Sequence, residues 1–275
     1  MSSYLATSGM RIEFATLSRQ GARDYNEDAC GYWMSEDGAC FVVADGAGGH
    51  GGGDVASETA VKTFLMGFSA QPSIKKNHVD QLLHQADSAI RYGQTLANQL
   101  KKMSTTVACL FLNDDAGLAQ WIHLGDTRIY LIRRRSCTLL TKDHSLQQRF
   151  IDSPAMSESL VQGSIARNIL YAALGTGEEV YFESLDEPFS LNEGDAFLLC
   201  SDGFWEGVDA DAMVSSLGLA GSAQEWLIRM EQLVLDRNSA TQDNYSALAV
   251  WVGSPNDITL SLGSGDISKL HMDIV

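Results

Sequence analysis

An α+β domain, with strands and helices in separate blocks, is the fold class this sequence predicts, and three observations carry it. Short apolar or alternating segments bounded by Gly, Asp and Asn recur in both halves of the chain. Between them, two long segments with apolar residues at helical spacing follow one another directly, without the intervening strand of a βαβ unit. A third helical segment and a last strand complete the order strands, two helices, strands, helix, strand. Helices with one apolar face each must cover sheets, so two sheets packed face to face between helices are expected.

The elements follow in order. Arg11 to Leu17, Ala29 to Met34 and Cys40 to Ala44 read as the first strands. The first helix is expected from Asp54, an N-cap residue type, with Ala56, Ala60, Phe64 and Phe68 on one stripe. The second is expected from Val79 to Leu100, with Val79, Leu82, Leu83, Ala86, Ile90 and Ala97 on its apolar face. Strands resume at Thr105 to Leu112, Ala119 to His123, Arg128 to Arg134 and Thr138 to Leu140. From His144 to Asn168 the pattern is irregular and polar, and strands return at Val180 to Ser184 and Ala196 to Cys200. The third helix begins near Ala223 and carries Trp226, Leu227, Met230, Leu233 and Val234, before a last strand from Tyr245 to Val252. After Gly253 only the run Ile258 to Leu262 is apolar, and a loose extension is expected there. The sequence has no internal repeat and no low-complexity tract.

The composition narrows the function. The chain has 275 residues, with 35 Asp and Glu against 19 Lys and Arg and a net charge of −16. That length supports a sizeable core, and 45% apolar residues mark an ordinary globular protein. The acidic balance counts against nucleic acid and anionic membranes as partners, and it would repel an anionic substrate. Met1 to Met10 has neither the charged nor the apolar region of a signal peptide, and no apolar run approaches the roughly 18 residues of a membrane span. The five cysteines, Cys30, Cys40, Cys109, Cys137 and Cys200, are odd in number and form no C-x-x-C, which fits reduced core residues and a cytoplasmic protein.

One motif misleads. Gly46-Ala-Gly48-Gly-His-Gly51 matches G-x-G-x-x-G after a strand and before a helix. A dinucleotide site also needs a parallel strand straight after that helix, ending near an acidic residue. Here Lys62 to His78 leads into the second helix. The loop also lacks the Gly-Lys-Ser/Thr of a P-loop, and no His or Cys spacing points to zinc.

A second pattern recurs: acidic residues where apolar strands end. Asp45 follows Phe41 to Ala44, Asp126 follows Trp121 to Gly125, Asp202 follows Phe197 to Ser201, and Asp243 with Asn244 precedes Tyr245. Glu27 and Asp28 stand between the first two strands. Any one Asp-Gly or Asp-Asn is compatible with a plain turn. Gathered at one end of a sandwich, these carboxylates would repel one another unless cations neutralised them, and hard divalent ions such as Mg²⁺ or Mn²⁺ take such oxygen ligands.

The chain resembles the metal-dependent Ser/Thr protein phosphatases of the PPM (PP2C) family, in its bacterial branch. The matching runs are Arg23-Asp-Tyr-Asn-Glu27-Asp28, Asp45-Gly-Ala-Gly-Gly-His50 with Ala56-Ser57, Ser104-Thr-Thr106, and Gly125-Asp-Thr-Arg128. They continue with Thr141-Lys-Asp-His-Ser145, Ala173-Leu-Gly175, Cys200-Ser-Asp-Gly203 and Asp243-Asn244, all in family order. The resemblance implies a four-layer α-β-β-α sandwich, with two central antiparallel sheets flanked by helices and a small flap subdomain. It divides the chain into a phosphatase domain at residues 10–253, a flap at about 146–168 and an extension at 254–275.

The resemblance also implies the site. Asp45 would bridge two metals, with the Gly46 carbonyl on one, Asp202 and Asp243 holding the other, and Glu27 binding directly or through water. Asp126 matches a weaker third-metal position, and Arg23 matches the arginine that grips the substrate phosphate. Catalysis would then be direct attack on phosphorus by a hydroxide bridging two Mn²⁺ or Mg²⁺ ions, without a covalent phospho-enzyme. Ala47 stands where some members carry the His read as general acid, and His50, three residues on, is not given that role.

The expected partners are phosphoproteins, including a Ser/Thr kinase or its targets, and a monomer is expected. The flap, with Arg149 and Arg167, is the expected seat of substrate choice. Arg133-Arg134-Arg135 is expected to cap a hairpin, and His123 to be a strand residue with a satisfied ring. Two other readings compete: a catalytically silent phosphoprotein-binding module on the same fold, and another two-metal phosphoesterase such as a nuclease.

Overall fold

A computed structural model of the chain describes residues 3–5, 10–47, 52–113, 116–152, 169–177, 180–237 and 240–255. Two antiparallel sheets lie face to face. One runs β1(Ser3–Leu5)-β2(Ile12–Arg19)-β13(Tyr245–Val252)-β12(Ala196–Cys200)-β8(Arg128–Arg133)-β9(Ser136–Leu139). The other runs β10(Glu183–Ser184)-β7(Leu118–Leu124)-β6(Val107–Asn113)-β4(Gly38–Ala47)-β3(Asp28–Ser35), with β11(Phe189–Ser190) also on β7 and β5(Ser104–Thr105) on β4.

Strand parity builds three apolar layers. On β4, Cys40, Val42 and Ala44 face the helices α1(Gly53–Ala70) and α2(Lys76–Gln94), while Ala39, Phe41 and Val43 enter the core between the sheets. On β13, Leu248, Val250 and Val252 join that central core, and Tyr245, Ala247, Ala249 and Trp251 pack beneath the opposite helices. Those helices are α5(Ala210–Gly218) and α6(Ala223–Asp236), whose Ser222 caps the Glu225 N–H at 3.0 Å. The helix–sheet–sheet–helix order is the expected one.

Several details differ from the sequence reading. The first helix starts at Gly53, and Asp54 sits in its first turn, accepting from its neighbour Val55 rather than capping the helix. The second helix ends at Gln94 and leaves Ala97 in the connection. The short helices α3(Leu146–Ile151), α4(Asp202–Trp205) and α5, and the three-residue β1, are too short to show periodicity. Of the expected flap only α3 and the residues beside it are seen; positions 153–168 lie outside the described residues, as do His50 and positions 256–275.

Arg134 and Arg135 make the tight β8–β9 turn, both at positive φ, and Arg133 grips the buried carboxylate of Asp195 at 2.7 and 2.6 Å. The cluster therefore closes a hairpin, as expected. No helix among the described residues is long and apolar enough to cross a membrane.

Candidate active site

The antiparallel order places the ends of β4, β7 and β12 and the starts of β3 and β13 at one edge of the sandwich. All seven residues singled out from the sequence meet there, lining one cavity of about 960 Å³: Arg23, Glu27, Asp45, Gly46, Asp126, Asp202 and Asp243. Asp45 ends the apolar run of β4 and faces Asp28 across the β3–β4 ladder. Its backbone is fixed by Thr106, whose N–H donates to the Asp45 carbonyl at 2.9 Å and whose Oγ1 accepts from the Asp45 N–H at 3.0 Å.

Gly46 is crowded by backbone: a Cβ there would lie 2.1 Å from the Gly53 carbonyl oxygen and 2.6 Å from that of Glu27. Only glycine lets the β4 end, the Glu27 segment and the start of α1 converge. Glu27 is bracketed in turn, its N–H donating to Asn244 Oδ1 at 2.8 Å and its Oε1 accepting from Gly53 N–H at 3.2 Å. Asn244 Nδ2 also holds the carbonyls of Gln20 and Tyr25, which carries the Arg23 loop to the cavity. Arg23 Nη2 donates to Asp243 Oδ2 at 2.6 Å. In this state the phosphate-binding candidate is paired with a metal-ligand candidate.

The electrostatics are those of crowded carboxylates. Burial pushes Asp126 up to about 7, reinforced by the charges of Asp202 and Asp143. Burial, with Asp28, Asp202, Asp126 and Asp243 around it, holds Asp45 well above the usual carboxylate range. Asp202 rises to about 6, through burial and then Asp243 and Glu206, although a hydrogen bond with Asp45 opposes the rise. The group cannot ionise fully by itself, and a cation would relieve it.

Two carboxylates outside the expected ligand set join the cluster. Asp28 is buried, accepts from Ser201 Oγ at 2.7 Å, rises to about 7 through burial, and leaves Oδ1 with no partner. Glu206 follows Asp202 by four residues and lines an adjoining recess of about 270 Å³ that shares Asp126 and Asp202 with the main cavity. The four-residue spacing was the available signal for Glu206. Adjacency to Glu27 was the signal for Asp28.

An unpaired buried carboxylate oxygen, a converging all-oxygen donor set and raised pKa values all fit hard divalent ions, so the residues present suit Mn²⁺ or Mg²⁺. His123, His144 and Glu183 form a separate group beneath the Gly125–Thr127 turn, with donor atoms within 4.8 Å of one another. His123 does lie in a strand, but its ring departs from expectation: both nitrogens are buried without a partner.

A carboxylate centre of this kind at one end of a two-sheet sandwich has the oxygen donors that divalent ions take. The family model described as protein phosphatase 2C matches residues 18–242. The serine/threonine phosphatase stp of Listeria welshimeri is 30% identical over 249 residues, covering 88% of this chain and 95% of that protein. The serine/threonine protein phosphatase PstP of Mycobacterium tuberculosis is 29% identical over 278 residues, covering 95% of this chain and 50% of PstP. Among solved structures, the M. tuberculosis phosphatase PstP/Ppp superposes with a TM-score of 0.77 at 26% identity, covering 88% of this chain and 99% of that one. The PstP catalytic domain in complex with two manganese ions gives a TM-score of 0.74 at 26% identity, with 88% and 98% covered. The chain belongs to the protein phosphatase 2C family.

Proposed function

We propose that this phosphatase removes phosphate from phosphoserine and phosphothreonine in proteins, using a pair of Mn²⁺ or Mg²⁺ ions and no covalent phospho-enzyme. The observation that supports it most is the convergence of Glu27, Asp28, Asp45, Asp126, Asp202 and Asp243 on one end of the sheets. In this reading Asp45, the Gly46 carbonyl, Asp202, Asp243 and Glu27 hold the ion pair, and Asp126 holds a weaker third ion. Bound there, the ions supply Lewis acidity and an acidified water.

The chain supplies the rest. Arg23 lines the cavity with one nitrogen committed to Asp243, and a guanidinium has further donors for phosphate oxygens. Thr106 and Asn244 hold Asp45 and Glu27 in place. The side chain of Ala47 holds no proton for the leaving alkoxide. The five described thiols take no part; Cys40, Cys109 and Cys200 are buried in the apolar layers. The wide cavity, with Tyr25 and Tyr171 on its walls, suits an extended phosphopeptide.

The domain assigned to these roles is 10–253, acting as a cytoplasmic monomer on phosphoproteins that include a Ser/Thr kinase or its targets. Purified protein is expected to hydrolyse a phosphothreonine peptide with Mn²⁺ and to stop with EDTA. Tight binding of that peptide without turnover in Mn²⁺ would overturn the reading in favour of a silent binding module. Cleavage of a polynucleotide in place of the peptide would favour a nuclease.

A further inference from the structure

The turn Gly125-Asp126-Thr127 carries Asp126 into the cavity between β7 and β8, and His144 grips it at two points. The His144 backbone N–H donates to the Gly125 carbonyl at 2.7 Å, and the ring's Nδ1 accepts from the Gly125 N–H at 3.2 Å. Gly125 has φ +103°, and a Cβ there would lie 2.5 Å from the Thr106 methyl. The ring that makes this contact is 1% exposed. It packs at a tilt against His123 with centroids 4.8 Å apart and is covered by Tyr181 at 5.0 Å and Tyr171 at 5.6 Å. From the other side, Trp205 Nε1 donates to the Asp126 carbonyl at 2.9 Å.

The tautomer decides what the ring can do. Burial holds His144 neutral, its pKa drawn down to about 4. With Nδ1 accepting from the backbone, the proton is on Nε2. A metal on Nε2 would need that proton on Nδ1, where the Gly125 N–H already points. The group His123, His144 and Glu183 is therefore not a second metal site in this arrangement.

We infer that His144 is a positioning residue for Asp126: its Nδ1 fixes the Gly125 peptide and, through it, the carboxylate assigned to the weaker third ion. The inference rests on the assignment of Asp126 made above. Partners one shell behind a metal ligand typically set affinity by about 10- to 100-fold.

The experiment counts Mn²⁺ bound to the full chain by electron paramagnetic resonance titration, with a thermal melt of each variant alongside. Asn places an acceptor oxygen near the Nδ1 position, whereas Gln places it near Nε2. His144→Gln is expected to weaken the weakest Mn²⁺ site by about tenfold or more and to spare the tight pair. His144→Asn is expected to restore most of the loss. Should His144→Gln not fold, His144→Ala against His144→Asn reads the same difference.

Equal weakening by Asn and Gln, or none by Gln, overturns the positioning role while the assignment of Asp126 stands, provided Asp126→Asn weakens that site. If Asp126→Asn changes nothing, or the parent protein binds only two ions, the assignment of Asp126 fails and the positioning role with it. A Mn²⁺ ion lost from His123→Leu would make the histidine group a metal site and overturn the inference.

Discussion

Two groups of ionisable side chains flank the Gly125–Thr127 turn, and burial moves them in opposite directions. On the cavity side Asp28 and Asp126 rise to about 7, and Asp45 rises well above the usual carboxylate range. Behind the turn His144 falls to about 4 and His123 well below its usual value. One cause, the cost of charge out of water, acts on both. The outcomes differ because an imidazole escapes by staying neutral, whereas carboxylates crowded against one another also repel. The imidazoles settle as neutral rings without an added ion, and the carboxylates have no such escape.

The contrast is broken most severely by removing a carboxylate from the centre of the cavity. Asp45→Asn and Asp202→Asn are each expected to lower Mn²⁺-dependent turnover of a phosphothreonine peptide by about 10³-fold or more, since the ions supply several kcal/mol to the transition state. In EDTA the same variants should melt at or above the parent temperature, because a repelled buried charge has gone. Full turnover by either purified variant would refute the assignment of these ligands.

What the sequence could and could not reveal divides along the same line. The strand-end aspartates were readable because each adjoins an apolar run, whereas which face of β4 and β13 enters the central core is set by how the layers pack. Adjacency to Glu27 marks Asp28 as a candidate, but its place opposite Asp45 is a matter of β3–β4 register, which that adjacency does not encode. The role of His144 depends on which backbone N–H its ring meets. The short helix α4 was hidden because Asp202 reads equally well as a turn residue after β12. Local chemistry at strand ends could be read directly, whereas contacts made by tertiary approach could not.

A smaller effect separates the two groups by pH. Asp28 and Asp126 have raised pKa values in the folded apo-protein. The stability they contribute is fully present below their unfolded value of 3.8 and lost as pH rises through about 7. The imidazoles are depressed, so their contribution is present above 6.5 and lost as pH falls toward about 4 for His144. In EDTA the opposing slopes should partly cancel between pH 4 and 7. With saturating Mn²⁺ the carboxylate slope should vanish, leaving stability that falls with acidification. The metal-dependent difference near pH 7 is expected to be a few kcal/mol, roughly what 100- to 1,000-fold excess of ligand over its dissociation constant gives. Parallel melting curves with and without Mn²⁺ across this range would show that the carboxylates are not the ligands.

The smallest effect is expected from the histidine group itself. His123 is fully buried in β7 with neither ring nitrogen in good hydrogen-bond geometry, so the desolvation cost of its imidazole outweighs what the nearby Thr127 and Gly125 backbone returns. His123→Leu removes that cost at similar volume, and a gain of about 1 kcal/mol is expected. Denaturant unfolding in EDTA measures it without interference from the cavity. A loss of more than about 2 kcal/mol would mean that His123 has a buried partner, such as an ordered water shared with Glu183, and that this group too is incomplete without an added species.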